Sequence, residues 1–90
     1  MLKVDYSNKF KKDYKQIKKR GYKIEKLEKV FKLLINEEPL PQKYSNHILT
    51  GNFAGFYECH IEPDWLLIYA IEDGLLKLTR TGTHSDLFKK

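Results

Sequence analysis

Phe56-Tyr57-Glu58-Cys59-His60-Ile61, Trp65-Leu66-Leu67-Ile68-Tyr69-Ala70-Ile71 and Leu75-Leu76-Lys77-Leu78-Thr79-Arg80-Thr81 are three runs of strand length, rich in aromatic and branched side chains. Glu62-Pro63-Asp64 and Glu72-Asp73-Gly74 separate them. Both joints carry turn chemistry, because proline presets one backbone angle and glycine accepts a positive one. Three such strands in succession are most simply an antiparallel meander.

Upstream, residues 36–52 read as a connector, broken by Pro39 and Pro41 and closing at Thr50-Gly51-Asn52. Before it the period becomes helical. Ile24, Leu27, Val30, Phe31, Leu34 and Ile35 form one stripe at spacings of three and four, and Phe10, Tyr14 and Ile17 form another. Lys11, Lys12, Lys15, Lys18 and Lys19 occupy the outer face of the first helix. Ser7 supplies an N-cap oxygen and Gly21 a left-handed stop, so the two helices make a hairpin. Leu2, Val4 and Tyr6 alternate with Lys3 and Asp5 as a short half-buried strand, and His84 to Phe88 leaves room for about one helical turn. The order β-α-α-β-β-β is that of an α+β domain, an N-terminal helical hairpin packed on a small, mainly antiparallel sheet.

Ninety residues are enough for one core, and residues 1–90 read as a single domain. The lone Cys59 excludes an internal disulfide framework and fits a reducing compartment. No apolar run approaches the roughly 20 residues of a membrane span, and the N-terminus has no signal-peptide pattern, so the expectation is a soluble, cytoplasmic protein. The formal charge of +5 favours a polyanionic partner. It is unevenly spread. Residues 1–35 hold 12 Lys/Arg against 4 Asp/Glu, net +8, and residues 36–90 hold 5 against 8, net −3. His47, His60 and His84 all fall in the second part, among the side chains that titrate near neutrality.

Strand ends and connectors can converge at one end of a sheet, and these places hold His47, His60, Asp64 and His84. Imidazoles, a carboxylate and the guanidinium of Arg80 would suit proton transfer at neutral pH. A metal site is the first rival. His60 and Asp64 are four apart, but Pro63 denies them the helix that would put both on one face. A cysteine nucleophile is the second. Cys59 adjoins His60, yet neighbours on a strand point to opposite faces, so Cys59 reads as a small buried hydrophobe. Gly51, Gly55, Gly74 and Gly82 suit turns or bulges, not a phosphate loop. Trp65 and Phe88 each divide between core packing and stacking on a base, Arg80 between a functional role and pairing with Glu58 or Glu62, and the lysines between a solvated face and phosphate contact.

Three blocks carry a family resemblance: His47-Ile48-Leu49-Thr50-Gly51, Gly55 through Tyr69, and Arg80-Thr81-Gly82-Thr83-His84-Ser85-Asp86-Leu87-Phe88. In their order and separation they resemble the YafQ branch of the RelE/ParE toxin superfamily over nearly the whole chain. The resemblance implies the toxin of a bacterial type II toxin–antitoxin pair, an endoribonuclease that cuts mRNA in the ribosomal A site by attack of the RNA's own 2′-hydroxyl. It implies no metal and no organic cofactor. It puts the catalytic group on His47, His60, Asp64 and His84, with Trp65 and Phe88 in support and Arg80 beside the transition state. His84 would be the general acid, Asp64 or His60 the base or its orienter, and His47 a phosphate holder. The implied partners are the ribosome, mRNA and a cognate antitoxin, in a heterotetramer that meets DNA only through the antitoxin. Ala54 and Tyr57 stand where the family often has basic residues, which removes up to two positive charges from the site. Two other readings share the fold: a ParE-like toxin that binds a protein target without cutting RNA, and a plain RNA-binding module working through its basic helices.

Overall fold

Ser7 sets the geometry of the N-terminal half. In the computed structural model, which describes residues 1–88, its Oγ accepts the Phe10 amide at 2.9 Å and donates to the Thr79 carbonyl at 2.7 Å. The cap of the first helix is thereby also a tie to the last strand. Helix α1 (Asn8–Lys19) ends where Gly21 adopts φ +81°. There the Tyr22 amide reaches the Ile17 carbonyl at 3.1 Å and the Gly21 amide reaches Lys18 at 3.0 Å, closing the orphan carbonyls of the last turn. Helix α2 (Ile24–Ile35) follows. Phe10 and Ile17 of α1 and Leu27, Val30 and Leu34 of α2 are buried, and the lysines face outward.

Five strands form one sheet: β1 (Lys3–Tyr6), β2 (His47–Ile48), β3 (Tyr57–Glu62), β4 (Trp65–Glu72) and β5 (Leu75–Gly82), in the order β1-β5-β4-β3-β2. The β3-β4-β5 meander is antiparallel, as the turn chemistry requires, and β1 lies parallel to β5. The connector holds more structure than its prolines suggest. Short 3-10 turns occupy Gln42–Tyr44 and Gly51–Phe53, and the two residues of β2 pair with Glu58 and Tyr57. The tail is a five-residue helix, α3 (His84–Phe88). Among the described residues no helix is long and apolar enough to cross a membrane.

Alternation divides the meander between two cores. Cys59, Ile61, Trp65, Leu67, Tyr69, Leu76 and Leu78 pack under the helices. Leu66 and Ile68 face the other way, against Leu87 and the partly buried Leu49, Phe53, Phe56 and Phe88. A bulge leaves Thr79 with no residue opposite it on β4: Tyr69 pairs with Leu78 but Ile68 with Arg80. Beyond it Thr81 faces the helices while Arg80 lies on the opposite side.

Candidate active site

The register brings the site together on the face turned away from the helices. His47 of β2 stands opposite Glu58 of β3, and His60 comes two residues further along β3 on the same face. Glu58 is buried, and one of its oxygens, Oε1, lies 3.4 Å from His47 Nε2 and 3.3 Å from His60 Nε2. His47 Nδ1 is 2.8 Å from the Ser45 carbonyl. A carbonyl only accepts, so Nδ1 carries the hydrogen and Nε2 is the atom turned to Glu58.

The other half of the site bridges the β3–β4 turn and the start of α3. Asp64 Oδ1 accepts the backbone amide of His84 at 2.9 Å and its ring Nδ1 at 2.5 Å. These bonds hold the Asp64 carboxyl below its ordinary range, first through the His84 amide and then through the ring. An ionised carboxylate can only accept, so His84 Nδ1 carries the hydrogen and Nε2 points away from Asp64. The His60 ring lies 5.9 Å from that of His84 and 6.3 Å from that of His47, in a row of three imidazoles with His60 in the middle. His47 and His84 are about half exposed and His60 about a quarter.

Of the other residues the sequence singles out, none joins this row. Trp65 is in the helix-side core, its Nε1 donating to Thr81 Oγ1 at 3.0 Å and its ring edge-on to Tyr22 at 4.9 Å. With 1% of its surface exposed it has no face to offer a base. Phe88 packs the tail onto the domain, edge-on to Phe53 at 5.9 Å. Arg80 pairs with neither Glu58 nor Glu62. Its Nε and Nη2 donate to Asp13 of α1 at 2.7 and 3.1 Å, and Asp13 also accepts the Thr81 amide at 3.2 Å. The reason is the strand edge: β1 stops opposite Leu78, so α1 covers the rest of β5 and brings Asp13 to it. Glu58 and Asp13 are the two residues that sequence reasoning missed. Glu58 was legible in principle as a charge on the His60 face of a strand. Asp13 was not, being 67 positions from its partner.

Burial pushes the Cys59 thiol up to about 12, which leaves it inert beside the site. Gly82 has another task. A Cβ there would lie 2.9 Å from Asp86 Oδ2, and that carboxylate holds Arg20 through bonds of 2.6 and 3.0 Å. The Arg20–Asp86 pair fixes α3, and hence His84 at its start, against the end of α1.

A helical hairpin on one face of a small, mostly antiparallel sheet is the fold of the RelE-like toxins. The family model described as "Bacterial toxin of type II toxin-antitoxin system, YafQ" matches residues 2–89, and the chain belongs to that family. It is 45% identical over 86 residues to the mRNA interferase toxin YafQ of Escherichia coli K12, covering 94% of each chain. The solved E. coli DinJ–YafQ complex superposes with a TM-score of 0.91 at 44% identity, over 98% of this chain and 99% of that one. A metal-bound toxin from Helicobacter pylori superposes with a TM-score of 0.92 at 44% identity, over 98% and 100%. Among the described residues of this chain, no three His, Cys, Asp or Glu side chains are placed to share an ion.

Proposed function

We propose that residues 1–90 act as one toxin domain that cuts mRNA on the ribosome, using His47, Glu58, His60, Asp64 and His84 for acid–base chemistry without a metal. The observation that carries this reading is the double hold of Asp64 on His84, which leaves Nε2 free near His60. His60 takes the proton of the 2′-hydroxyl. The 2′-oxygen bonds to phosphorus, the bond from phosphorus to the 5′-oxygen breaks, and His84 Nε2 gives that oxygen its proton, leaving a 2′,3′-cyclic phosphate. Asp64 orients His84 and is a poor base, since its proton affinity is lowered. Glu58 steadies His47 and His60, and His47 holds a non-bridging oxygen. Arg80 supplies positive charge from the α1 side through Nη1, which takes no part in its bonds to Asp13.

The DinJ–YafQ complex of the E. coli relative supports a cognate antitoxin as partner. We further propose that the two form a cytoplasmic heterotetramer that reaches DNA only through the antitoxin. The test is to map mRNA ends during translation for the wild type and His84→Ala. Cuts in register with codons in the wild type, reduced by about 10²–10⁴-fold in a variant with unchanged melting, are expected. Growth arrest by the wild type without cuts would overturn the reading in favour of a binding toxin.

A further inference from the structure

Strand β2 pairs with Tyr57 and Glu58, and among the described residues no strand lies beyond β3 from Cys59 to Glu62. A cleft of about 550 Å³ lies there, with Lys26 and Lys29 of α2 on one wall, Lys43 and Ser45 on the other, and His60 and Glu62 along β3. Its charge is lopsided. Lys26 Nζ pairs with Glu62 Oε2 at 2.5 Å, so these two cancel. Neither Lys29 nor Lys43 makes a salt bridge among the described residues. Lys43 Nζ sits over the Tyr44 ring, 5.2 Å from its centroid, and that ring is buried, so the ammonium rests on a fixed platform.

The cleft is continuous with the imidazole row. His60 belongs to both, and Ser45 lines the cleft while its carbonyl holds His47 Nδ1. An occupant with its end at His60 is therefore an extension of whatever is cut there. We propose that the nucleotides adjoining the scissile phosphate run through this cleft, with Lys29 and Lys43 meeting their phosphodiesters. The inference rests on the nuclease reading above and adds the track of its substrate strand. The cleft lies open along a strand edge and carries two uncompensated cations, which suits a chain of phosphates passing through and not an enclosed small molecule.

The experiment is cleavage of mRNA on programmed ribosomes by the wild type and by K29Q/K43Q, across a fourfold range of salt. The variant is expected to lose efficiency in KM and not in kcat. Two phosphate contacts at about 0.7 each flatten its log–log salt dependence by about 1.4, making the fourfold change in salt about sevenfold less damaging to the variant than to the wild type. Glu62→Gln, which removes the one carboxylate that lines the cleft among the described residues, is expected to lower KM. A K29Q/K43Q enzyme with wild-type KM and salt slope overturns the proposal. So does an equal loss of binding to ribosomes that carry no mRNA, which moves the contact to ribosomal RNA. If the wild type cuts nothing in this assay, the nuclease reading fails and takes the track with it. Wild-type cleavage with unchanged variant kinetics removes the track alone.

Discussion

Cys59 and His60 are neighbours in the chain and strangers in environment. Cys59 lies on the helix side of the sheet, opposite Leu67, among mainly apolar side chains where no water reaches the thiol. His60 lies on the other side opposite Leu66, within reach of a buried carboxylate and beside two more imidazoles. Around these two residues one side is held by burial, where each lost methylene is felt, and the other by a few directed contacts on a partly wet surface beside the second buried cluster of Leu66 and Ile68. Stability and chemistry thus fall on alternate residues of β3. A variant at the helix-side core should move stability, and one in the imidazole row should move chemistry.

The sharpest way to break that division is to compare His84→Ala with Leu67→Ala. The first is expected to reduce cleavage by about 10²–10⁴-fold at constant Tm. The second removes a fully buried side chain and is expected to cost about 3 kcal/mol, a fall in Tm of roughly 10–20 °C. Because Leu67 faces Cys59, thiol labelling should accelerate in the same variant, and unchanged labelling would show that the helix side does not open there.

A smaller effect is expected at the seam between the faces. Asp13→Asn weakens the bonds to Arg80 and to the Thr81 amide, and is expected to cost about 2 kcal/mol in thermal or denaturant melts. If Arg80 serves the reaction, kcat falls as well, and Asp13→Glu recovers part of both. A wild-type melt for the Asn variant would show that the pair is not holding α1 to β5.

The smallest effect is in acid. The Arg20 guanidinium holds the Asp86 carboxyl well below the usual carboxylate range. A depressed native pKa means the unfolded chain takes up the proton first, so this stabilisation is complete above about pH 4–5 and is lost as pH falls further. The pair is partly exposed, and about 1 kcal/mol or less is expected from it. Arg20→Gln should lower neutral stability by that amount and leave stability in strong acid nearly unchanged, so that the acid limb of the stability curve flattens. An acid limb identical to the wild type would remove the pair from the account.

Much of the fold was legible because local chemistry and tertiary need agree. Ser7 and Gly21 bound α1 for reasons contained in a few neighbouring residues, and the two turns of the meander are set by Pro63 and Gly74. The split of Cys59 from His60 follows from strand alternation alone. What could not be read depends on register between distant segments. Two residues, His47 and Ile48, have no periodicity of their own, and β2 exists because Glu58 and Tyr57 are there to pair with. His47, His60, Asp64 and His84 were legible as candidates from their places at strand ends and connectors, but Glu58 becomes part of the group only when β2 and β3 are laid side by side. Arg80 was assigned the wrong neighbours because nothing near it in the chain announces that β1 stops short and α1 takes its place.

The unpaired Thr79 in β5 acts on the molecule as a spacer acts on a printed line. Ironing the bulge out with Thr79 retained would set Thr79 opposite Ile68, turn Arg80 inward opposite Leu67 and turn Thr81 outward away from Trp65. Deleting Thr79 instead joins Leu78 to Arg80 in the register they already keep, and removes only the bulge and the carbonyl that Ser7 Oγ holds. A deletion at Thr79 should therefore be tolerated far better than one within β4, where no extra residue exists, and that asymmetry can be read directly from a library of single deletions.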